Sequence, residues 1–128
     1  MNRFERAAQI WPLLALSARN RQVLTYDLVG DLIGVPRQGL GQLLEPIQSY
    51  CILGSLPALS SLVVGASSGS PGEGFIASSD VPQEQARVFA RAWPASPTPA
   101  QFEEAAIRLP SNGVSLSQLL SVARGVSA

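Results

Sequence analysis

The sequence predicts an α+β domain, mostly α, with a winged-helix-like core, a short β-hairpin wing and additional C-terminal helices. Three observations carry that reading. Apolar residues at positions 4, 7, 8, 11, 14, 15 and 18 follow one helical face. The run LTYDLVGDLIGVPRQGLGQLL (24–44) reads as helix, glycine turn, helix, and LPALSSLVVGASSGSPGEGF (56–75) as an apolar strand leading into a turn-rich tip. A chain of 128 residues suffices for one domain spanning 1–128, with 24–75 as the winged-helix-like segment and 80–125 as a C-terminal helical extension.

Taken in order, the first helix is expected over 3–19, with a kink or irregular turn at Pro12, whose ring removes a backbone donor. Its two early arginines and apolar run loosely resemble a secretory signal. Glu5, Gln9 and Pro12 interrupt that pattern, and the helical spacing suits a core-packing face instead. Gln22 to Leu24 suits a short strand. Thr25 is placed to cap a second helix through Ile33, with Asp27 favouring its positive end and Gly34 supplying a left-handed stop.

Pro36 then opens a helix with Leu40, Leu43, Leu44 and Ile47 as its buried stripe. Pro46 is expected to break it, leaving 46–54 as a separate short helix. Leu59 to Val64 is the strand candidate, and the loop 65–74 turns the chain back at Phe75. Ser79 or Asp80 caps a further helix whose Val81, Val88, Phe89, Ala92 and Trp93 face the core, while Glu84, Arg87 and Arg91 form a solvated face. Thr98 caps a helix carrying Phe102, Ala105, Ala106 and Leu109, and a last short helix is expected over 116–123.

Composition excludes much chemistry. All nine basic residues are arginine, with no lysine and no histidine, and they balance nine acids to a net charge of zero. Phosphate-binding Walker loops, Schiff bases, Ser-Lys dyads and all imidazole catalysis therefore drop out. Cys51 is the only cysteine, so no internal disulfide or zinc cluster forms, and its apolar setting SYCIL marks a small buried hydrophobe. Glu103 and Glu104 are adjacent and so point to different sides of a helix. The expectation is a protein that is not an enzyme and that uses neither cofactor nor metal. No segment approaches the length of a membrane span, and a cytoplasmic location is expected.

The helix–turn–helix and the tip after it carry a resemblance. Residues 24–44 are similar to the TYG-x-(I/L)-A…G-x-P-x-x-x-x-(V/A)-G-x-x-(L/M) run of the O6-alkylguanine alkyltransferases and alkyltransferase-like proteins, and 56–75 to their IPCHRVV…G-x-x-GG(F/Y) wing. The match spans about residues 24–75. It implies a winged helix-turn-helix that binds double-stranded DNA, in a bacterial setting of repair, defence or mobile elements. Pro57-Ala58-Leu59-Ser60 stands where that family has Pro-Cys-His-Arg, so alkyl transfer is excluded, and Cys51, in the preceding helix, does not replace the missing nucleophile.

On this reading the DNA contacts are Arg19, Arg21, Thr25, Tyr26, Arg37, Gln38 and Gln42, with Ser70, Gly72 and Gly74 in the wing loop. Arginine suits guanine edges or phosphate and glutamine suits adenine. Opposed to this, 24–75 holds Arg37 as its only base against Asp27, Asp31, Glu45 and Glu73, a poor basic footprint. A solvated helix face explains Arg37, Gln38 and Gln42 equally well, as a hairpin tip explains the glycines. Only 14% of residues are charged and 46% are hydrophobic. That composition keeps a second reading open, an inhibitor, immunity or adaptor module that covers a protein partner or forms a homodimer.

Overall fold

Asn2 begins the ordered architecture by capping its helix twice over. Its side chain accepts the N–H groups of Phe4 and Glu5, while its own N–H donates to Glu5 Oε1. The computed structural model describes residues 1–72 and 74–110. Their order is α1 (Arg3–Arg19), β1 (Leu24–Thr25), α2 (Tyr26–Ile33), a 3-10 turn (Arg37–Gly39), α3 (Leu40–Leu53), a second 3-10 turn (Leu59–Leu62), β2 (Val63–Val64), α4 (Val81–Phe89) and α5 (Pro99–Arg108). The mostly helical α+β class is as expected. The helix expected over 116–123 lies outside the described residues.

Helix α1 runs unbroken through Pro12, which is exposed. Its face widens beyond the expected stripe: Ile10 and Ser17 are buried beside Ala7, Trp11, Leu14 and Ala18. Thr25 caps α2 by accepting the Leu28 N–H, and Gly34 ends it in the left-handed region at φ 75°.

Four expectations need correction. Pro36 precedes a single 3-10 turn, and α3 proper starts at Leu40. Pro46 does not divide the next helix: α3 is continuous from Leu40 to Leu53 with Pro46 buried inside it. The carbonyl one turn back belongs to Gln42, an exposed residue open to water, so the missing donor costs little there. Residues 59–62 form a 3-10 turn rather than a strand, and Val63–Val64 pair with Leu24–Thr25 in parallel, not with a returning strand at Phe75. The expected β-hairpin is thus absent among the described residues. The loop after β2 closes on itself instead, through Gly65 N–H to Ser70 carbonyl and Gly69 N–H to Gly65 carbonyl.

The fourth correction concerns α4. It ends at Phe89, leaving Ala92 exposed and Trp93 half-buried beyond its end. Glu84, expected on a solvated face, is buried at 7% exposure: Oε2 accepts the Ala58 N–H at 2.8 Å and Oε1 accepts Arg87 Nη1 at 3.2 Å. The chain turns into the 3-10 segment at Ala58 and needs an acceptor for that inward N–H, and a carboxylate on the facing helix supplies it.

One core joins these elements. Ile10, Trp11 and Leu14 of α1 meet Leu40, Ile47 and Cys51 of α3, Leu59 and Leu62 of the 3-10 turn, Val88 of α4 and Phe102 of α5. Trp11 sits at its centre, edge-on to Tyr50 and Trp93 at 5.8 and 5.7 Å between ring centres, with Phe102 at 6.0 Å. Both indole N–H groups are satisfied by carbonyls, Trp11 by Pro94 and Trp93 by Val88. The expectation that the tryptophans serve packing holds. Helices α4 and α5 share this core with the 24–75 segment.

Candidate functional site

Residue Leu44 belongs to the buried stripe of α3, and one turn later the same stripe presents Gln48, a polar side chain only 2% exposed. Its amide is used on both ends. Nε2 donates to the Gly74 carbonyl at 3.2 Å, and Oε1 accepts the Ile76 N–H at 2.9 Å. A third bond ties the same loop to α2, from Gly72 N–H to Tyr26 Oη at 2.8 Å. Gly72 is required here, because a Cβ at that position would lie 2.8 Å from the phenol oxygen.

Between this fastened loop and α2–α3 lies a cleft of about 320 Å³. Tyr26, Arg37 and Gln38 border it from one side, Gly72, Gly74 and Phe75 from the loop, and Leu44, Glu45 and Gln48 from α3. Ser60 also lines it, 4% exposed, and its Oγ has no hydrogen-bond partner among the described residues. A buried hydroxyl without a partner costs about 1–3 kcal/mol unless something else reaches it. It is the kind of group that a bound ligand satisfies.

The charges around the cleft are mixed. Arg37 is 58% exposed and pairs at 3.7 Å with Asp27, itself 55% exposed, an interaction of little energetic weight. Glu45 pairs with Arg3 of α1 at 3.5 Å. The Arg6 guanidinium is spent on the Ile33 carbonyl at the end of α2. The cleft therefore offers one arginine at its mouth, one carboxylate beside it, and hydroxyl, amide and aromatic groups within reach.

The residues expected to contact DNA fall into four places. Tyr26, Arg37, Gln38, Gly72 and Gly74 converge on the cleft. Thr25 and Ser70 serve the chain itself, Thr25 as the α2 cap and Ser70 as acceptor for Gly65. Gln42 is exposed on α3 outside the cleft lining. Arg19 and Arg21 lie around a separate depression with Phe89, Arg91 and Trp93. Sequence reasoning missed Gln48 and Ser60. The signal for Gln48 was there, a polar residue four positions after Leu44 on an otherwise apolar stripe.

Cys51 is fully buried in α3, and burial pushes its thiol up from 9.0 to about 12, against a weaker lowering by a hydrogen bond to the backbone of Leu59. It is inert at neutral pH, as expected of a packing residue. No helix among the described residues is long and apolar enough to cross a membrane. Comparison with known proteins finds no matching family model, no matching curated protein and no matching solved structure.

Proposed function

We propose that this protein is a non-catalytic recognition protein that binds duplex DNA and receives one unpaired or extruded base in the cleft between α2–α3 and the 71–75 loop. The observation that carries the reading is the convergence of Tyr26, Arg37 and Gln38 with the glycine loop around the unpartnered Ser60 hydroxyl. A concave site of this size is too small for a duplex face and suits a single heterocycle, which presents both an aromatic plane and hydrogen-bonding edges. Arg37 at the mouth supplies the contact to phosphate or to a neighbouring base edge.

With a net charge of zero and Glu45 beside the cleft, affinity rests on fit more than on phosphate neutralisation. Such a protein favours DNA in which a base is already loosened, since extrusion from intact pairs costs a few kcal/mol. The test is a duplex carrying 2-aminopurine opposite an abasic site. Binding that raises 2-aminopurine emission, and loses that rise in Ser60→Val and Tyr26→Phe, supports the reading. Binding without an emission change removes the base from the proposal.

A second reading has its own support. Leu28 and Leu32 stand exposed one turn apart on α2, at 44% and 56%, an apolar pair that a protein partner would cover. Failure of every DNA probe at low salt would favour it.

A further inference from the structure

Outside the cleft, two exposed faces of the molecule complement one another in charge. The first gathers Arg19, in the last turn of α1, and Arg21, just after it, with Arg91 beyond the end of α4. They surround a depression of about 520 Å³ lined also by Leu16, Phe89 and Trp93. No carboxylate lines it, and none of the three arginines has an ion-pair partner among the described residues. Leu16 is 59% exposed at its edge, and the Arg91 guanidinium lies 5.8 Å over the Trp93 ring. Arg21 holds φ at 54°, a conformation that glycine or asparagine adopts at lower cost.

The second face is the outer side of α5. Ile107 projects there at 70% exposure, the most exposed large apolar side chain after Met1 among the described residues. Glu103 and Glu104, four and three residues back and so to either side of it, stand around it with Arg108, bordering a shallow hollow with Ala100. Neither glutamate has an ion-pair partner among the described residues. By contrast, the exposed leucines of α2 sit beside Asp27, already paired with Arg37, and a single carboxylate without an ion pair among the described residues, Asp31. The α5 face, with two such carboxylates around its apolar residue, is therefore the better complement to three arginines around a hollow.

We propose that these faces bind each other between two copies of this chain. Ile107 of one copy enters beside Leu16 and Trp93 of the other, while Glu103 and Glu104 meet Arg19, Arg21 and Arg91. Arginine suits such a contact because its planar fork binds carboxylates through two bonds while its stem covers apolar surface. The two faces differ, so the contact is head-to-tail. It closes only where symmetry lets it form twice, and otherwise extends. A chain with no net charge puts no long-range repulsion in its way.

The test is sedimentation velocity on the full chain at low salt, from about 10 to 500 µM, the range in which small interfaces report. Wild type is expected to gain mass with concentration and to lose that gain in 0.5 M salt, about a tenfold or greater weakening. Arg91→Glu and the double substitution Glu103→Arg, Glu104→Arg should each remain monomeric. All three sites are exposed, so circular dichroism should show unchanged folding. Mixed in equal amounts, the two variants should form a one-to-one dimer, because each retains the half that the other lost. The proposal is overturned by a wild type that stays monomeric throughout, by a mixture that does not associate, or by association abolished through Leu32→Asp but not through Ile107→Asp.

Discussion

Gln48 shows how one side chain turns an apolar helix face into part of a site. Its amide fastens Gly74 and Ile76 to α3, and the phenol of Tyr26 fastens Gly72 to α2, so the loop wall of the cleft is held from two helices. Gln48→Leu keeps the volume and removes these bonds. It should lower stability by about 1–2 kcal/mol in urea denaturation and speed amide exchange at Gly72 and Ile76. Unchanged exchange would mean that the loop is held by other contacts. Cys51 offers a second residue-scale test. Its thiol is neutral in the folded state up to about pH 12 but ionises near 9.0 when the chain unfolds. Its contribution is fully present below pH 9 and is lost as pH rises from there to 12, by about 1.4 kcal/mol per pH unit at most. Denaturation at pH 8 and pH 10 should show this loss in wild type and a smaller one in Cys51→Ala. Equal losses would place the alkaline sensitivity elsewhere.

At the scale of elements, the turn between α2 and α3 is the tightest part of the design. Gly30 lies where a Cβ would stand 2.4 Å from the Val35 carbonyl, and its own carbonyl accepts the Val35 N–H at 2.9 Å. Gly30→Ala gains helix propensity of about 1 kcal/mol yet must displace backbone. A net destabilisation of about 1–3 kcal/mol in thermal or urea unfolding is expected, and a stabilised variant would contradict the turn geometry described. The caps at Thr25, Asp80 and Thr98 and the stop at Gly34 were legible in the sequence because these residues and the periodic apolar positions beside them act locally. What escaped was decided by distant partners. Pro46 reads as a breaker, but the helix survives because the carbonyl it orphans faces water. The segment Leu59 to Val64 reads as one strand, but only its last two residues find a partner, the short β1, and a carboxylate from α4 holds the turn before it. Glu84, spaced for a surface ion pair with Arg87, spends one oxygen on that turn, which no local pattern announces.

Over the whole molecule, half of the expected contact set meets at the cleft and half lies elsewhere. Tyr26, Arg37 and Gln38 follow in order along one stretch of chain, so local turns suffice to bring them to the cleft. Arg19 and Arg21 precede the same stretch but leave α1 at its far end, and tertiary packing delivers them to Arg91. The arginines expected to bind DNA are therefore divided, Arg37 at a nearly neutral cleft and Arg19 and Arg21 on a separate cationic face. For DNA held by the cleft alone, roughly one to three phosphates would be neutralised, giving a shallow salt dependence. The most direct measurement is fluorescence anisotropy of a labelled duplex with a single unpaired base, at low and at physiological salt, with wild type beside Arg37→Ala. The account expects binding that weakens modestly with salt and falls about tenfold or more in the variant, the loss of one well-placed arginine contact. Binding indifferent to Arg37, or none even at low salt, would contradict recognition of DNA by this cleft.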